Sequence, residues 1–141
     1  MSVTQQLRDE HKRIIDVLKE FEDVLGQPEP PPAASLFDLR NRLTHVLIGH
    51  LKAEDWVLYP SLLESDTPYV AEAARNLIHE MGGLADAYSA YTRQWTAQAI
   101  AADWEGYRRD SAVVIRMLRK RIAREDRELY PLADRQQRDA A

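Results

Sequence analysis

Apolar side chains recur along this chain at alternating steps of three and four residues, the spacing that gathers them on one face of an α-helix. Three interruptions divide the pattern: a proline-rich connector at 26–34, a Ser-Asp-Thr-Pro turn at 65–68 and a weaker break at 102–106. The pattern predicts four helices, over residues 3–25, 35–64, 68–100 and 103–135. No segment alternates in the manner of a strand, so we predict an all-α fold, an up-down-up-down four-helix bundle with short links.

Residues typical of helix ends support these boundaries. Thr67 is the expected N-cap before Pro68, which suits the first position of a helix because an N–H there would have no helical partner. Asp103 is the expected N-cap of the last helix. Pro60 and Pro131 fall late in the second and fourth helices, and each is expected to kink or end its helix.

One segment of the chain occurs twice. Residues 50–60 read HLKAEDWVLYP and residues 121–131 read RIAREDRELYP. Both copies follow the pattern HxxxED…LYP, except that Arg121 replaces the histidine in the second copy. The copies lie at matched places in the second and fourth helices, where Tyr59 and Tyr130 are expected to pack at the end of the bundle.

Polar residues interrupt the apolar helix faces at five positions: His11, His50, Glu54, Arg121 and Glu125. Residues four apart on a helix point the same way, so His50 stands beside Glu54, and Arg121 beside Glu125. Two buried carboxylates are costly unless something cationic lies with them. Imidazole and carboxylate on facing helices form metal sites in helix bundles, and these ligands suit iron, manganese or zinc.

A metal-free ion-pair network is the alternative to a metal site. Arg121 carries a permanent charge and a guanidinium fork that suits carboxylates, so it could neutralise Glu54 and Glu125 together with a protonated histidine. Arg121 would instead lie on the surface if the fourth helix were rotated slightly. The residues by themselves leave these alternatives open.

Length, charge and composition exclude several classes of protein and of binding partner. The 141 residues are expected to form one domain over 1–141, and the net charge of -4 gives no reason to expect nucleic acid or an anionic membrane as partner. No apolar run is long enough to span a membrane and the N-terminus lacks a signal-peptide core, so a cytoplasmic location is expected. The absence of cysteine excludes disulfides, thiolate metal sites and cysteine nucleophiles.

The chain resembles the hemerythrin-like, or HHE cation-binding, domain family. The resemblance rests on residues 9–14 (DEHKRI) and on the two copies of HxxxED…LYP, and it covers almost the whole chain. It implies a non-haem di-iron centre with histidines from four helices and two bridging carboxylates. Members of the family bind dioxygen, sense iron, oxygen or redox state, or handle nitric oxide and peroxide.

The chain departs from the family pattern on two helices. Arg121 occupies the position of the fourth-helix histidine, and Met81 occupies the position of the third-helix histidine. His79 lies two residues before Met81 and is therefore rotated about 200° from the buried face. It is a poor substitute for the missing histidine and remains only a candidate extra ligand. Since the resemblance assigns both missing histidines to the same iron, one half of the site is expected to be lost.

The ligands of the other half are intact. They are His11, His50, Glu54 and Glu125. They predict at most one metal ion per chain, with iron expected, zinc or manganese as alternatives, and an empty site as a further one.

We expect a metal-binding, sensing or regulatory module rather than an enzyme. The alternatives are a metal-free interaction protein on the same fold, or a working di-iron protein that binds oxygen or nitric oxide, with His79 or Tyr88 filling the gap. The sequence leaves a protein partner and the oligomeric state open.

Overall fold

The computed structural model describes residues 4–140, which are mostly helical and contain no strand. Eight α-helices and two π-helical turns follow one another in this part of the chain. They are α1 (Gln5–Leu25), α2 (Ala33–Ala53), the first π-turn (Glu54–Leu58), α3 (Tyr59–Leu63), α4 (Pro68–Met81), α5 (Leu84–Gln94), α6 (Ala97–Ala102), α7 (Trp104–Arg124), the second π-turn (Glu125–Leu129) and α8 (Tyr130–Ala140). The predicted all-α class is confirmed, whereas residue 3, the predicted start of the first helix, lies outside the described residues. No helix within 4–140 is long and apolar enough to cross a membrane.

The two proline-containing helices continue through their prolines. The backbone stays helical from α2 into α3 and from α7 into α8. In each π-turn a tyrosine N–H donates to the carbonyl five residues back, from Tyr59 to Glu54 and from Tyr130 to Glu125. This wider turn accommodates proline, which lacks an N–H and crowds the preceding turn of an α-helix. The prolines therefore do not end their helices, and each follows a π-turn that begins at a glutamate.

The prediction of a single helix over 68–100 is wrong, because this region forms α4, α5 and α6. The first break falls at a glycine pair. Gly83 has a φ of +83°, a left-handed conformation that favours glycine, and a Cβ on Gly82 would lie 2.4 Å from the Ile78 carbonyl oxygen. The second break falls before Thr96, whose side chain caps α6.

The expected N-caps Thr67 and Asp103 stand where the sequence places them. Thr67 directly precedes α4, with Pro68 at the start of the helix, although the threonine side chain makes no capping hydrogen bond. Asp103 accepts a hydrogen bond from the Gly106 N–H at 2.9 Å and so caps α7.

Two apolar clusters lie on either side of a layer of buried polar side chains. The first cluster is built mainly from α1, α2, α5 and α7 and includes Leu18, Leu47 and Leu118. The second is built from α3, α4, the second π-turn and α8 and includes Leu62 and Leu129. The long helical stretches 33–63 and 104–140 pass through both clusters. Each fully buried aliphatic side chain contributes about 1.5–3 kcal/mol, so the clusters hold the polar layer in a stable frame.

Candidate metal centre

The four predicted ligands meet in the polar layer. His11 comes from α1, His50 from α2, Glu54 from the first π-turn and Glu125 from the second. All four are buried, and one donor atom from each lies within 4.8 Å of the other three. They form a compact set of two imidazoles and two carboxylates, which are donors that suit iron, zinc and manganese.

One histidine nitrogen in this set is buried without a hydrogen-bond partner. His50 Nε2 lies 2.9 Å from Glu54 Oε1, as the spacing of four residues predicts, but the two atoms are not aligned as a hydrogen bond. A buried polar atom without a partner costs free energy. A metal ion bound to both atoms would remove that cost.

The outer nitrogens of both histidines face carboxylates. His50 Nδ1 lies 2.7 Å from Glu10 Oε1, and His11 Nδ1 lies 2.9 Å from Asp126 Oδ1. A carboxylate on the outer nitrogen fixes the tautomer and orients the ring, as is usual around bound metals. The sequence analysis missed both acids. Their positions in the sequence could have identified them, because Glu10 directly precedes His11 and Asp126 directly follows Glu125.

Arg121 is buried in the same cluster, with 2% of its surface exposed. Its Nε donates to Glu125 Oε2 at 3.1 Å, and one terminal nitrogen donates to Asp55 Oδ1 at 2.9 Å. The same nitrogen lies 3.4 Å from Glu54 Oε1, while the other terminal nitrogen is buried without a partner. The alternative of a surface arginine is wrong, because three carboxylates hold the guanidinium in the core.

Two tyrosines cross-link the two copies of the repeat. Tyr59 donates its hydroxyl to Glu125 Oε2, and Tyr130 donates its hydroxyl to Glu54 Oε2 at 2.7 Å. Each tyrosine thus bonds to the glutamate of the other copy. The sequence analysis predicted packing at the bundle end for these tyrosines but did not predict the hydrogen bonds of their hydroxyl groups. The occurrence of a tyrosine in both copies of the repeat could have indicated them.

The two buried glutamates titrate differently. Burial raises the pKa of Glu54 to about 7, with the charge of Glu125 adding to the rise and His50 opposing it. Burial acts on Glu125 as well, but hydrogen bonding to His11 and the charge of Arg121 hold its pKa below the ordinary value. Burial disfavours the charged form of His50, yet nearby carboxylates raise its pKa overall. The cluster therefore contains a carboxyl group whose pKa lies near neutral pH.

Two further residues considered for the site lie outside the cluster of donors. His79 is exposed on α4, in keeping with its rotation away from the buried face, and it does not join the four buried donors. Met81 is the last residue of α4, is half-buried, and packs against the second apolar cluster, which includes Tyr59. The structure thus gives no support to His79 as an extra ligand.

Comparison with known families matches residues 2–133 to the Hemerythrin HHE cation binding domain, which is almost the whole chain. The chain belongs to this family. Comparisons with curated proteins and with solved structures gave no match. As a hemerythrin HHE domain, the chain has a cation-binding fold, and its four buried donors form a group that can hold a metal ion.

The residues of this hemerythrin HHE domain include donors that can hold a metal ion, and Arg121 lies among them. His50 Nε2, which has no hydrogen-bond partner, lies beside Glu54 Oε1, and His11 Nε2 lies beside Glu125 Oε1. The guanidinium of Arg121 contacts the same two glutamates, through Glu125 Oε2 at 3.1 Å and Glu54 Oε1 at 3.4 Å. A permanent positive charge at that place repels a second cation and offers it no lone pair.

Proposed function

We propose that this hemerythrin HHE chain is a metal-binding module that holds at most one ion, with iron expected and zinc or manganese as alternatives. The ligands are His11, His50, Glu54 and Glu125. The observation that carries the proposal is His50 Nε2, which is buried without a hydrogen-bond partner beside Glu54 Oε1. A hydrogen bond from Nδ1–H to Glu10 leaves Nε2 with a lone pair, the form in which histidine binds metals.

The repeat explains why a second ion is not expected. Arg121 is the counterpart of His50, and Asp55 is the counterpart of Asp126. Asp126 accepts a hydrogen bond from a histidine ring, whereas Asp55 accepts one from Arg121. One guanidinium therefore takes the contacts that imidazoles would make in the second half of a symmetric site.

Charge balance gives the site a means of acting as a sensor. The fully buried Glu54 and Glu125 share one permanent cation, Arg121, which also pairs with Asp55, so negative charge remains for a proton or a metal ion to neutralise. Each glutamate begins a π-turn, so loading the site changes the contacts of both turns. The first π-turn also carries the exposed side chains of Trp56 and Val57. We infer that binding or loss of the metal ion changes this exposed surface.

A surface groove of about 500 Å³ reaches Glu10, the hydrogen-bond partner of His50. It lies between α1, the first π-turn and α8, and Leu7, Glu10, Val57 and Ala133 are among its lining residues. Glu10 belongs both to the groove and to the hydrogen bond on His50, and its side chain is about a quarter exposed (24%). A carboxylate in this position can attract a cation from solvent toward the buried donors.

A metal-free interaction protein on the same fold is the second candidate function. It is favoured by His11, whose two ring nitrogens lie 2.9 Å from Asp126 and 3.1 Å from Glu125. A protonated ring would satisfy both carboxylates and, with Arg121, balance the buried charge without an ion. A working di-iron protein is less well supported, because His79 is exposed and the Tyr88 hydroxyl is hydrogen-bonded to Thr44 at 2.8 Å, within the first apolar cluster rather than among the donors.

We also propose that the helical stretches pack as an up-down-up-down bundle. The support comes from their neighbours: α1 packs against α2 and α7, and α5 packs against the same two helices. Because α4, α5 and α6 together replace the single third helix of the prediction, that arm of the bundle is segmented.

Metal content per chain tests the proposal directly. Protein purified without a histidine tag is incubated with Fe(II) under anaerobic conditions, or with Zn(II) or Mn(II), then desalted and analysed for metal. The wild type should retain about one ion per chain, and His50→Ala should retain none, because the unpartnered nitrogen is removed. His45→Ala is the matched control, since His45 is an exposed histidine on the same helix; it should bind as the wild type does.

The remaining outcomes separate the alternatives. Two tightly held ions per wild-type chain would show that Arg121 does not close the second position. No retained ion, in a protein that is folded by circular dichroism, would favour the metal-free interaction protein. Equal loss of metal in His50→Ala and His45→Ala would mean that the ion binds elsewhere.

A further inference from the structure

A phenol stands among the donors of the proposed metal site. Tyr130 is fully buried, and its hydroxyl oxygen lies 2.7 Å from Glu54 Oε2 and 3.1 Å from His11 Nε2. We propose that Tyr130 is a fifth ligand, which binds ferric iron through its phenolate oxygen. This inference rests on the proposed metal binding and adds the oxidation state of iron that the site favours.

The distances around the hydroxyl suit a shared ion. Ligand atoms at right angles around a metal with bonds of about 2.1 Å lie about 3 Å apart. The Tyr130 oxygen is at nearly this separation from one donor atom of His11 and one of Glu54. When ferric iron binds, the phenol O–H bond breaks, the oxygen forms a bond to iron, and the proton leaves to solvent water.

Without a metal ion the Tyr130 hydroxyl stays protonated, because burial and the nearby charges of Glu125 and Glu54 raise its pKa. The Arg8 guanidinium carbon lies 5.2 Å from the centroid of the Tyr130 ring, and the His11 ring stacks on the same residue at 5.1 Å. A ferric ion held by His11 and Glu54 would supply the adjacent cation that an anionic oxygen requires. Tyrosinate is also an established ligand of iron in proteins, where it binds as an anion. An anionic oxygen ligand stabilises the ferric ion more than the ferrous ion, because the attraction grows with the charge of the metal.

Tyr59 provides a comparison within the same chain. It occupies the position of Tyr130 in the other copy of the repeat, and its hydroxyl donates to Glu125 Oε2. The Arg121 guanidinium lies over the Tyr59 ring, 5.2 Å from its centroid. Tyr59 therefore faces the arginine side of the glutamates, and Tyr130 faces the side where His11 contributes its nitrogen. Of this pair, Tyr130 is the one placed to reach the ion.

A visible absorption band tests the assignment. Tag-free protein is loaded anaerobically with one equivalent of Fe(II), which is then oxidised to Fe(III) by one equivalent of the one-electron oxidant ferricyanide. The wild type should develop a phenolate-to-iron charge-transfer band. Tyr130→Phe should lose the band completely, and the absorbance is expressed per bound iron, measured by elemental analysis of the same sample, so that a loss of iron is not mistaken for a loss of the ligand. Tyr59→Phe is the matched control and should keep the band.

The outcomes distinguish this inference from the proposed function. Iron bound by the wild type without a charge-transfer band, or a band that persists in Tyr130→Phe, overturns the tyrosine assignment and leaves metal binding in place. No iron or zinc bound by the wild type overturns both. Resonance Raman spectra of the ferric wild type, excited in the band, supply a measurement that does not depend on the folding of a variant. They should show vibrations of an iron-bound phenolate, and their absence would refute the assignment.

Discussion

Replacing Arg121 with alanine tests the proposal that this cation closes the second metal position. The side chain bonds to Glu125 at 3.1 Å and to Asp55 at 2.9 Å, and it lies 3.4 Å from Glu54. Its removal leaves these carboxylates without their permanent cation. Removing one partner of a buried ion pair costs about 3–5 kcal/mol. We expect about 3 kcal/mol, at the lower end of that range, because Glu54, with a pKa of about 7, can respond by taking up a proton.

The measurement is the free energy of unfolding in urea at pH 7 with a metal chelator present, followed by far-ultraviolet circular dichroism. Arg124→Ala is the matched control. Arg124 lies one turn further along the same helix and pairs with Glu80 and Glu128 at the protein surface. Surface ion pairs contribute little to stability, so this variant should unfold nearly as the wild type does.

Metal should then recover part of the loss in Arg121→Ala. A ligand that binds only the folded state stabilises it by about 2.7 kcal/mol at a free concentration of 100 times its Kd. In the variant, a divalent ion can neutralise Glu54 and Glu125 in place of the arginine. The reasoning is refuted if Arg121→Ala and Arg124→Ala lose the same small amount of stability. It also fails if saturating Zn(II) or Fe(II) does not stabilise Arg121→Ala.

Four further predictions follow from the same contacts. The helical circular dichroism signal should survive chelation, because the two apolar clusters do not involve the ion; loss of most of the signal would instead mean that folding depends on metal. The double variant Arg121→His with Met81→His should raise capacity from one ion to two by elemental analysis, and a folded variant that gains no metal would show that Met81 is not the lost ligand position. Metal affinity should weaken as pH falls through the region near 7, because protons compete for Glu54 and His50; pH-independent affinity in a metal titration would exclude both as ligands. Without metal, the raised pKa of Glu54 stabilises the fold at mildly acid pH, and this contribution is lost as pH rises from about 4.5 through 7. The raised pKa of His50 contributes stability that is present below about 6.5 and is lost as pH rises above that value. Unfolding measurements across both ranges would detect these losses.

The clustering of the four donors could be predicted from the sequence because it depends on helical spacing and on a repeat. His50 and Glu54 are four residues apart, so any continuous helix brings their side chains together. The repeat then places Glu125 opposite them and identifies Arg121 as the residue that replaces a histidine. These relations hold whatever the exact helix ends, and they survive in the structure although the third helix was predicted wrongly.

The contacts around the ligands could not be predicted because the helices change pitch at the site. In a regular α-helix, Asp55 would be rotated about 100° from Glu54 and directed away from it. The π-turn that begins at Glu54 adds a residue to the turn, and Asp55 reaches Arg121. The same change of pitch precedes Tyr130, whose hydroxyl enters the cluster. Hydrophobic periodicity cannot show such a turn, since it assumes one constant angle per residue.

The repeat also explains how the site tolerates the change from histidine to arginine. Each copy supplies a glutamate to the centre, an aspartate beside it and a tyrosine that bonds to the other copy's glutamate. In the second copy, Arg121 bonds to its own glutamate, Glu125, and to Asp55 of the first copy. The acids that would surround a second ion therefore remain paired, now with a guanidinium. That cation is present with or without metal, so we expect the fold not to depend on the ion proposed to bind at His11 and His50.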